Sequence, residues 1–326
     1  MINILLIGAG QIGSRHLQSL ALLDIPLRID VVDLSETSRN VAQARFEEIK
    51  NSNQQASLHY FESIALVENN TYDVALITTD SKPRRAILEE LLPKVKIKYL
   101  VLEKFLFPRV EDYAVIGDLI DKHGIKAYVN TARRLYKHYQ DISNFFVNEA
   151  HIHFRVSGSD WGLGCNGIHF VDLFAMLSGS ENLQLSTQQV DNTILDSKRR
   201  GYIEFTGTLT GVDDRNNSIE ITSYYGGTTP VQVEISSKSH RVVVNEKTCE
   251  MLISSESTGW ATQMSSFKPQ FQSELTHIVV KDLIEKGTCQ LPTYTESAHL
   301  HLVFLNAFLE FINRHSEEKT NICPIT

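Results

Sequence analysis

The residues with the clearest chemical content stand at the start of the chain. Gly8-Ala9-Gly10-Gln11-Ile12-Gly13 has the spacing G-x-G-x-x-G. Glycines at these intervals suit a turn that carries backbone up to a pyrophosphate. Gly8 permits the tight turn, Gly10 admits the phosphates, and Gly13 lets a helix pack closely on a strand. Gln11 and Ile12, between them, open the helix whose N–H groups and positive dipole end would meet the phosphates. Glycines cluster in many loops, so context decides. Here an apolar run precedes the loop, a helical pattern follows it, and Asp33 closes the next apolar run. An acid at that point accepts hydrogen bonds from ribose hydroxyls and repels a 2′-phosphate, so NAD is expected rather than NADP. Arg39 is the competing signal, a cation able to serve a 2′-phosphate; it is expected on the solvated face of its helix.

Such a loop needs strands and helices to hold it, and residues 1–130 alternate the two. Short apolar runs fall at 4–7, 29–32, 74–77, 100–102 and 126–129, with amphipathic stretches at 16–23, 36–49, 84–92 and 111–123. Continuous apolar strands separated by helices belong to a parallel sheet covered on both faces. After about residue 150 the pattern changes to closely spaced strands at 152–156, 202–208, 218–224, 231–236 and 241–244. Helices are expected at 168–177, 271–286 and 295–314. The fold class expected is therefore α/β, with an N-terminal Rossmann parallel sheet over 1–130. A C-terminal α+β domain with a mainly antiparallel, open sheet is expected over 131–326.

Composition narrows the function. The chain has 326 residues, 42% hydrophobic and 21% charged, which suits two folded domains rather than disorder. A net charge of −8 argues against nucleic-acid or anionic-membrane partners. No leader or span-length apolar run is visible, so a cytoplasmic address is expected. Cys165, Cys249, Cys289 and Cys323 lack metal spacing, and so do the 12 histidines; no metal is expected.

Four segments in order resemble the glucose–fructose oxidoreductase/inositol dehydrogenase (Gfo/Idh/MocA) family. They are Gly8–Gly13 running into Ser14-Arg15-His16, then Ile77-Thr78-Thr79-Asp80-Ser81, then Leu102-Glu103-Lys104, and finally the stretch from Gly162 to Leu173 with His169 and Asp172. The resemblance covers nearly the whole chain. It implies that Thr79 borders the cofactor and that Glu103 contacts the nicotinamide ribose. It further implies that Lys104 bonds the substrate oxygen and moves its proton, with His169 as the second proton-handling group. Asp172, three residues on, shares a helical face with His169 and would orient it or shape the pocket. On residue type alone Glu103-Lys104 reads as a solvated charge pair and His169 as a core histidine; their shared order with the glycine loop favours function.

Three positions depart from the family pattern. Phe105 replaces the proline after Lys104, and Cys165 replaces an acid four residues before His169. Arg84 stands where a loop histidine is usual, with Asp80 in place of the loop's proline. Cys165 reads as a pocket residue rather than a nucleophile, because no helix start is expected near it. Asn130, Arg133 and Arg134 follow the last Rossmann strand; the arginines would grip a substrate anion or form a solvated junction. Trp161 would stack on a sugar or plug the space between domains. The resemblance implies an oxidoreductase acting on a hydroxyl-bearing carbon of a sugar, polyol or sugar nucleotide, assembled as a homodimer or homotetramer. Two alternatives stay open, an NAD-using glycosidase of the same fold and a non-catalytic NAD-binding protein.

Overall fold

The computed structural model describes residues 1–49, 55–180 and 182–326. Within them the chain forms two compact units, 1–107 with 111–132 and 270–297, and 108–110 with 133–269 and 298–326. The first unit begins β1 (Ile2–Ile7), α1 (Gln11–Leu20), β2 (Leu27–Val32), α2 (Glu36–Glu47) and β3 (Ala56–Phe61). It continues through β4 (Thr71–Ile77), α3 (Ser81–Leu91), β5 (Lys96–Glu103), α4 (Val110–Lys122) and β6 (Lys126–Asn130). The six strands pair in parallel in the order β3-β2-β1-β4-β5-β6, the Rossmann order.

The central strands are apolar on both faces because helices cover both. Ile4, Leu5 and Leu6 of β1 and Val74, Ala75, Leu76 and Ile77 of β4 have no exposed surface. Strand β3 was missed in the sequence for a physical reason. As an edge strand its residues stay exposed or half-exposed, so it lacks the continuous apolar run of its neighbours. Strand order reverses between β1 and β4, so the loops after these two strands diverge and leave a crevice.

The second unit contains α5 (Lys137–Phe146), β7 (His153–Ser159), α6 (Leu163–Ser178), β8 (Leu183–Val190) and the short pair β9 (Leu195–Asp196) and β10 (Ile203–Glu204). Then follow β11 (Gly207–Asp213), β12 (Ser218–Tyr224), β13 (Gln232–Ser236), β14 (His240–Asn245), β15 (Glu250–Ser255) and β16 (Gln263–Ser266). Eight strands form one sheet in the order β16-β15-β14-β13-β7-β12-β11-β8. All pairs are antiparallel except β7 with β12. Burial alternates along β12, β13 and β14, so one face is packed and the other is open. The packed face meets α6 through Phe154 and Phe174, whose ring centroids lie 6.0 Å apart. On the open face Arg155 pairs with Glu220 at 3.0 Å.

Helices α7 (Thr276–Lys286) and α8 (Tyr294–Arg314) complete the chain. Here the structure departs from a single cut after residue 130, because 270–297 clusters with the first unit. The reason lies in specific bonds. Val129 N–H donates to the Pro292 carbonyl at 3.0 Å, the His277 N–H to Ser19 Oγ at 3.0 Å, and the Tyr294 hydroxyl to the Tyr113 carbonyl at 2.7 Å. An amphipathic pattern marks a helix with one apolar face but does not say which layer receives it. No helix among the described residues is long and apolar enough to cross a membrane.

Gly13 sets how closely α1 lies on the β1 turn. A Cβ added there would stand 1.8 Å from the Gly8 carbonyl oxygen and 2.6 Å from Thr78 Oγ1. Gly13→Ala is therefore expected to destabilise the protein by at least about 1–3 kcal/mol, the usual cost of overpacking. Urea denaturation measures it; an unchanged midpoint would contradict the close approach.

Candidate functional site

The glycine turn has the shape its residues foretold. Gly8 has φ +94°, and a Cβ on it would sit 3.0 Å from the Thr79 amide. At Gly10, by contrast, a Cβ would meet nothing within 4 Å, so the space over this residue is open. No side chain caps the start of α1, where Gln11 is exposed and Ile12 half-buried. Thr79 Oγ1 is buried without a hydrogen-bond partner. Open space, uncapped N–H groups and an unsatisfied buried hydroxyl fit a bound dinucleotide.

Asp33 braces this turn. Its Oδ2 accepts from the Ala9 N–H at 2.6 Å and its Oδ1 from the Ser35 N–H at 2.8 Å. Each carboxylate oxygen keeps a further lone pair for a ribose hydroxyl. Arg39 is not on the solvated face of α2 as expected. It is half-buried and donates to the main-chain carbonyl of Asp33, within reach because Arg39 lies one turn into the helix that Asp33 introduces. Arg45, which sequence reasoning passed over, reaches from the end of α2 to Gln11. It donates to the Gln11 carbonyl at 3.1 Å and to Gln11 Oε1 at 2.9 Å, and also to Ser14 Oγ. Only the pairing of α1 with α2 brings it there.

Glu103 lies at the end of β5 within a buried polar network. His16 Nε2 is 2.8 Å from Glu103 Oε1, and Asn130 Nδ2 donates to the same oxygen. Thr276 Oγ1 lies 2.9 Å from His16 Nδ1, and Asn130 also bonds Gln272 Oε1 at 2.9 Å. Burial by itself would raise the Glu103 carboxyl. The hydrogen bond and charge of His16, the Asn130 bond and the Lys104 charge outweigh it and hold the group below the ordinary range. Lys104 follows, half-buried, joined to the fully buried Phe105 by a cis peptide bond. Arg84, at the family's histidine position, is itself fully buried and bonds main-chain carbonyls.

In the second unit α6 carries His169, half-buried, with Asp172 beneath it at 1% exposure. Asp172 Oδ2 accepts from Arg134 Nε at 2.8 Å. Arg133 forks onto Glu246 at 2.9 and 2.8 Å and lies 4.1 Å over the Phe170 ring, and the Tyr139 hydroxyl adds a third bond to Glu246 at 2.9 Å. Both arginines are thus engaged by carboxylates of their own unit. Trp161 donates its indole N–H to the Thr222 carbonyl at 2.9 Å and meets Phe170 edge-on at 5.3 Å.

Helix α6 starts at Leu163, earlier than the pattern indicated, so Cys165 does stand at a helix start. Glycines and Asn166 hid the first turn from a reading based on apolar periodicity. The usual consequence for a thiol is reversed here. Glu204 places its carboxylate on that turn, Oε1 accepting from the Gly164 N–H and Oε2 from the Cys165 N–H at 3.2 Å. Burial first, then the Glu204 charge, push the Cys165 thiol above its ordinary value. Sequence reasoning missed Glu204 because a lone acid within a strand pattern carries no signal of the helix it caps.

No protein-family model matches the chain, and no curated protein matches it in sequence. Its fold is shared with solved structures. An oxidoreductase from Agrobacterium radiobacter, in complex with NAD+, L-tartaric acid and magnesium, superposes with TM-score 0.74 at 14% identity, over 96% of this chain and 97% of that one. A levoglucosan dehydrogenase in complex with NADH gives TM-score 0.72 at 15% identity, over 97% and 98%. A super-repressor mutant of Gal80p from Saccharomyces cerevisiae gives TM-score 0.73 at 11% identity, over 97% and 99%. The parallel six-stranded sheet followed by a mainly antiparallel one is thus a fold this chain shares with these structures.

The Glu103 network makes a signed pH prediction. Its carboxyl is lowered in the folded state, so its contribution is fully present above the ordinary glutamate value and is lost as pH falls through the folded one. Glu103→Gln should cost about 1–3 kcal/mol at neutral pH, the penalty for disrupting a buried charged hydrogen bond. The gap between the two proteins should narrow in acid. Urea denaturation over a pH series reads it; a gap independent of pH would contradict the assignment.

Proposed function

We propose that the chain is an NAD-dependent oxidoreductase of the Gfo/Idh/MocA type. It would move hydride to or from a hydroxyl-bearing carbon of a sugar, polyol or sugar nucleotide. The observation that carries the reading is the open, uncapped Gly8–Gly13 turn braced by Asp33. The likeness to structures holding NAD+ or NADH supports it.

Bound NAD supplies the hydride acceptor or donor, and the chain supplies position and proton handling. Gly10 and the first N–H groups of α1 receive the pyrophosphate, with Thr79 at its side. Asp33 takes the adenosine ribose and disfavours a 2′-phosphate. Glu103 supports the nicotinamide ribose end through its bonds to His16 and Asn130. Lys104 holds the substrate oxygen and moves its proton, and His169 is the second proton-handling group, steadied by the Arg134–Asp172 pair. Cys165, as a neutral thiol, and Trp161 contribute to substrate binding. Neither needs a metal.

A second reading, a non-catalytic NAD-binding protein, is favoured by Cys165 in place of an acid and by the likeness to Gal80p. Turnover separates the two readings. Net release of NADH separates a dehydrogenase from an NAD-using glycosidase, which returns its cofactor oxidised. A homodimer or dimer of dimers through the open sheet face belongs to the same reading, in a cytoplasmic protein. Light scattering from a monomer at micromolar concentration would count against that assembly.

NAD should bind more tightly than NADP, and Asp33→Ser should narrow or reverse the preference, as read by calorimetry with both nucleotides. Equal or better binding of NADP by the unaltered protein would sink the assignment. Lys104→Ala and His169→Ala should leave NAD affinity nearly unchanged while lowering turnover by about 10²–10⁴-fold, measured as NADH formation on a panel of sugars and polyols. Cys165→Ala should be comparatively mild. A large loss from Cys165→Ala beside small losses from the other two would move the chemistry to the thiol.

A further inference from the structure

Arg84 has no exposed surface, although it lies on a helix next to the proposed cofactor loop. Its Nη1 donates to the carbonyls of Phe105 and Leu106, the second at 2.7 Å, and its Nη2 donates to the carbonyl of Thr79. The first two carbonyls belong to the residues that directly follow Lys104. The third belongs to the loop after β4, which packs on the glycine turn so closely that a Cβ on Gly8 would stand 3.0 Å from Thr79. One side chain therefore joins the wall of the dinucleotide crevice to the segment that carries Lys104.

Burying a guanidinium is costly, and well-packed apolar residues generally stabilise a core at least as well. What the guanidinium adds is geometry. Its donors are fixed in one plane and keep their protons at any working pH, so it can span two loops at a constant spacing. A lysine, with a single ammonium on a flexible stem, cannot reproduce that fork.

We propose that Arg84 is a positioning residue that locks the Lys104 segment to the cofactor-facing loop, so that dinucleotide binding and the placement of Lys104 are one event. The proposal rests on the NAD-dependent reading above. Its chemistry is indirect, since Arg84 reaches the site only through the main-chain carbonyls it holds.

The test uses the whole chain as wild type, Arg84→Lys and Arg84→Ala, with NADH as the probe. Three quantities are read: the melting temperature, NADH affinity from nicotinamide fluorescence, and the acylation rate of Lys104 across a pH series, by mass spectrometry with and without NADH. In wild type, NADH should change the Lys104 acylation profile. In Arg84→Lys, still folded, NADH affinity should fall about tenfold, the equivalent of one to two lost hydrogen bonds. The effect of NADH on Lys104 should vanish with it. Added guanidinium ion should restore both in Arg84→Ala. Variants that fold, bind NADH like wild type and keep its effect on Lys104 would overturn the clamp alone. Variants that only unfold, or in which guanidinium restores only the melting temperature, would assign Arg84 to stability and overturn it as well. A wild type that binds no NADH would overturn the parent reading, and with it the purpose of the clamp.

Discussion

The first unit depends on how closely α1 can approach the turn that follows β1. With Gly13 against the Gly8 carbonyl and Gly8 against Thr79, helix, turn and neighbouring loop occupy space that any side chain would take. This contact falls where strand order reverses, so it closes the packed side of the crevice and leaves Gly10 facing open space. Asp33 completes the arrangement from β2 by holding the Ala9 amide. A crevice shaped mainly by backbone is suited to a phosphate ligand, because the N–H groups that line it need no side chain to place them.

Around that crevice the unit buries charge, and each charge ties separate segments together. Glu103 joins β5 to α1 through His16 and to β6 through Asn130. Arg84 joins the loop after β4 to the segment that carries Lys104. Such groups are poor sources of stability, since desolvation offsets much of what their bonds return. They do fix geometry, because a half-satisfied buried network is worse than none. The concentration of these groups beside Lys104 is the physical reason to regard its position as specified.

The second unit treats its charges in the same way but with a different result. Arg133, Arg134, Asp172 and Glu246 pair within the unit, which removes the arginines as ready anion grips. Glu204 occupies the start of α6, so that helix end is closed to an anion and the thiol of Cys165 stays protonated. The same structural feature, a helix N-terminus, is thus left open in α1 and filled in α6. That difference decides which of them can receive a phosphate.

The sequence by itself determined the parallel sheet, the glycine turn and the acid at Asp33. These rest on local spacing, and a spacing rule is satisfied or broken within a short stretch of chain. Strand β3 escaped because an edge strand need not be apolar throughout, and the first turn of α6 because glycines carry no periodicity. Only the tertiary structure returned 270–297 to the first unit, turned Arg39 toward Asp33 and brought Arg45 to Gln11. It likewise buried Arg84 between two loops and placed Glu204 on Gly164. Each of these is a hydrogen bond whose partner is set by the packing of whole elements. A donor's residue type states that it must find an acceptor when buried, but only the folded chain states which one.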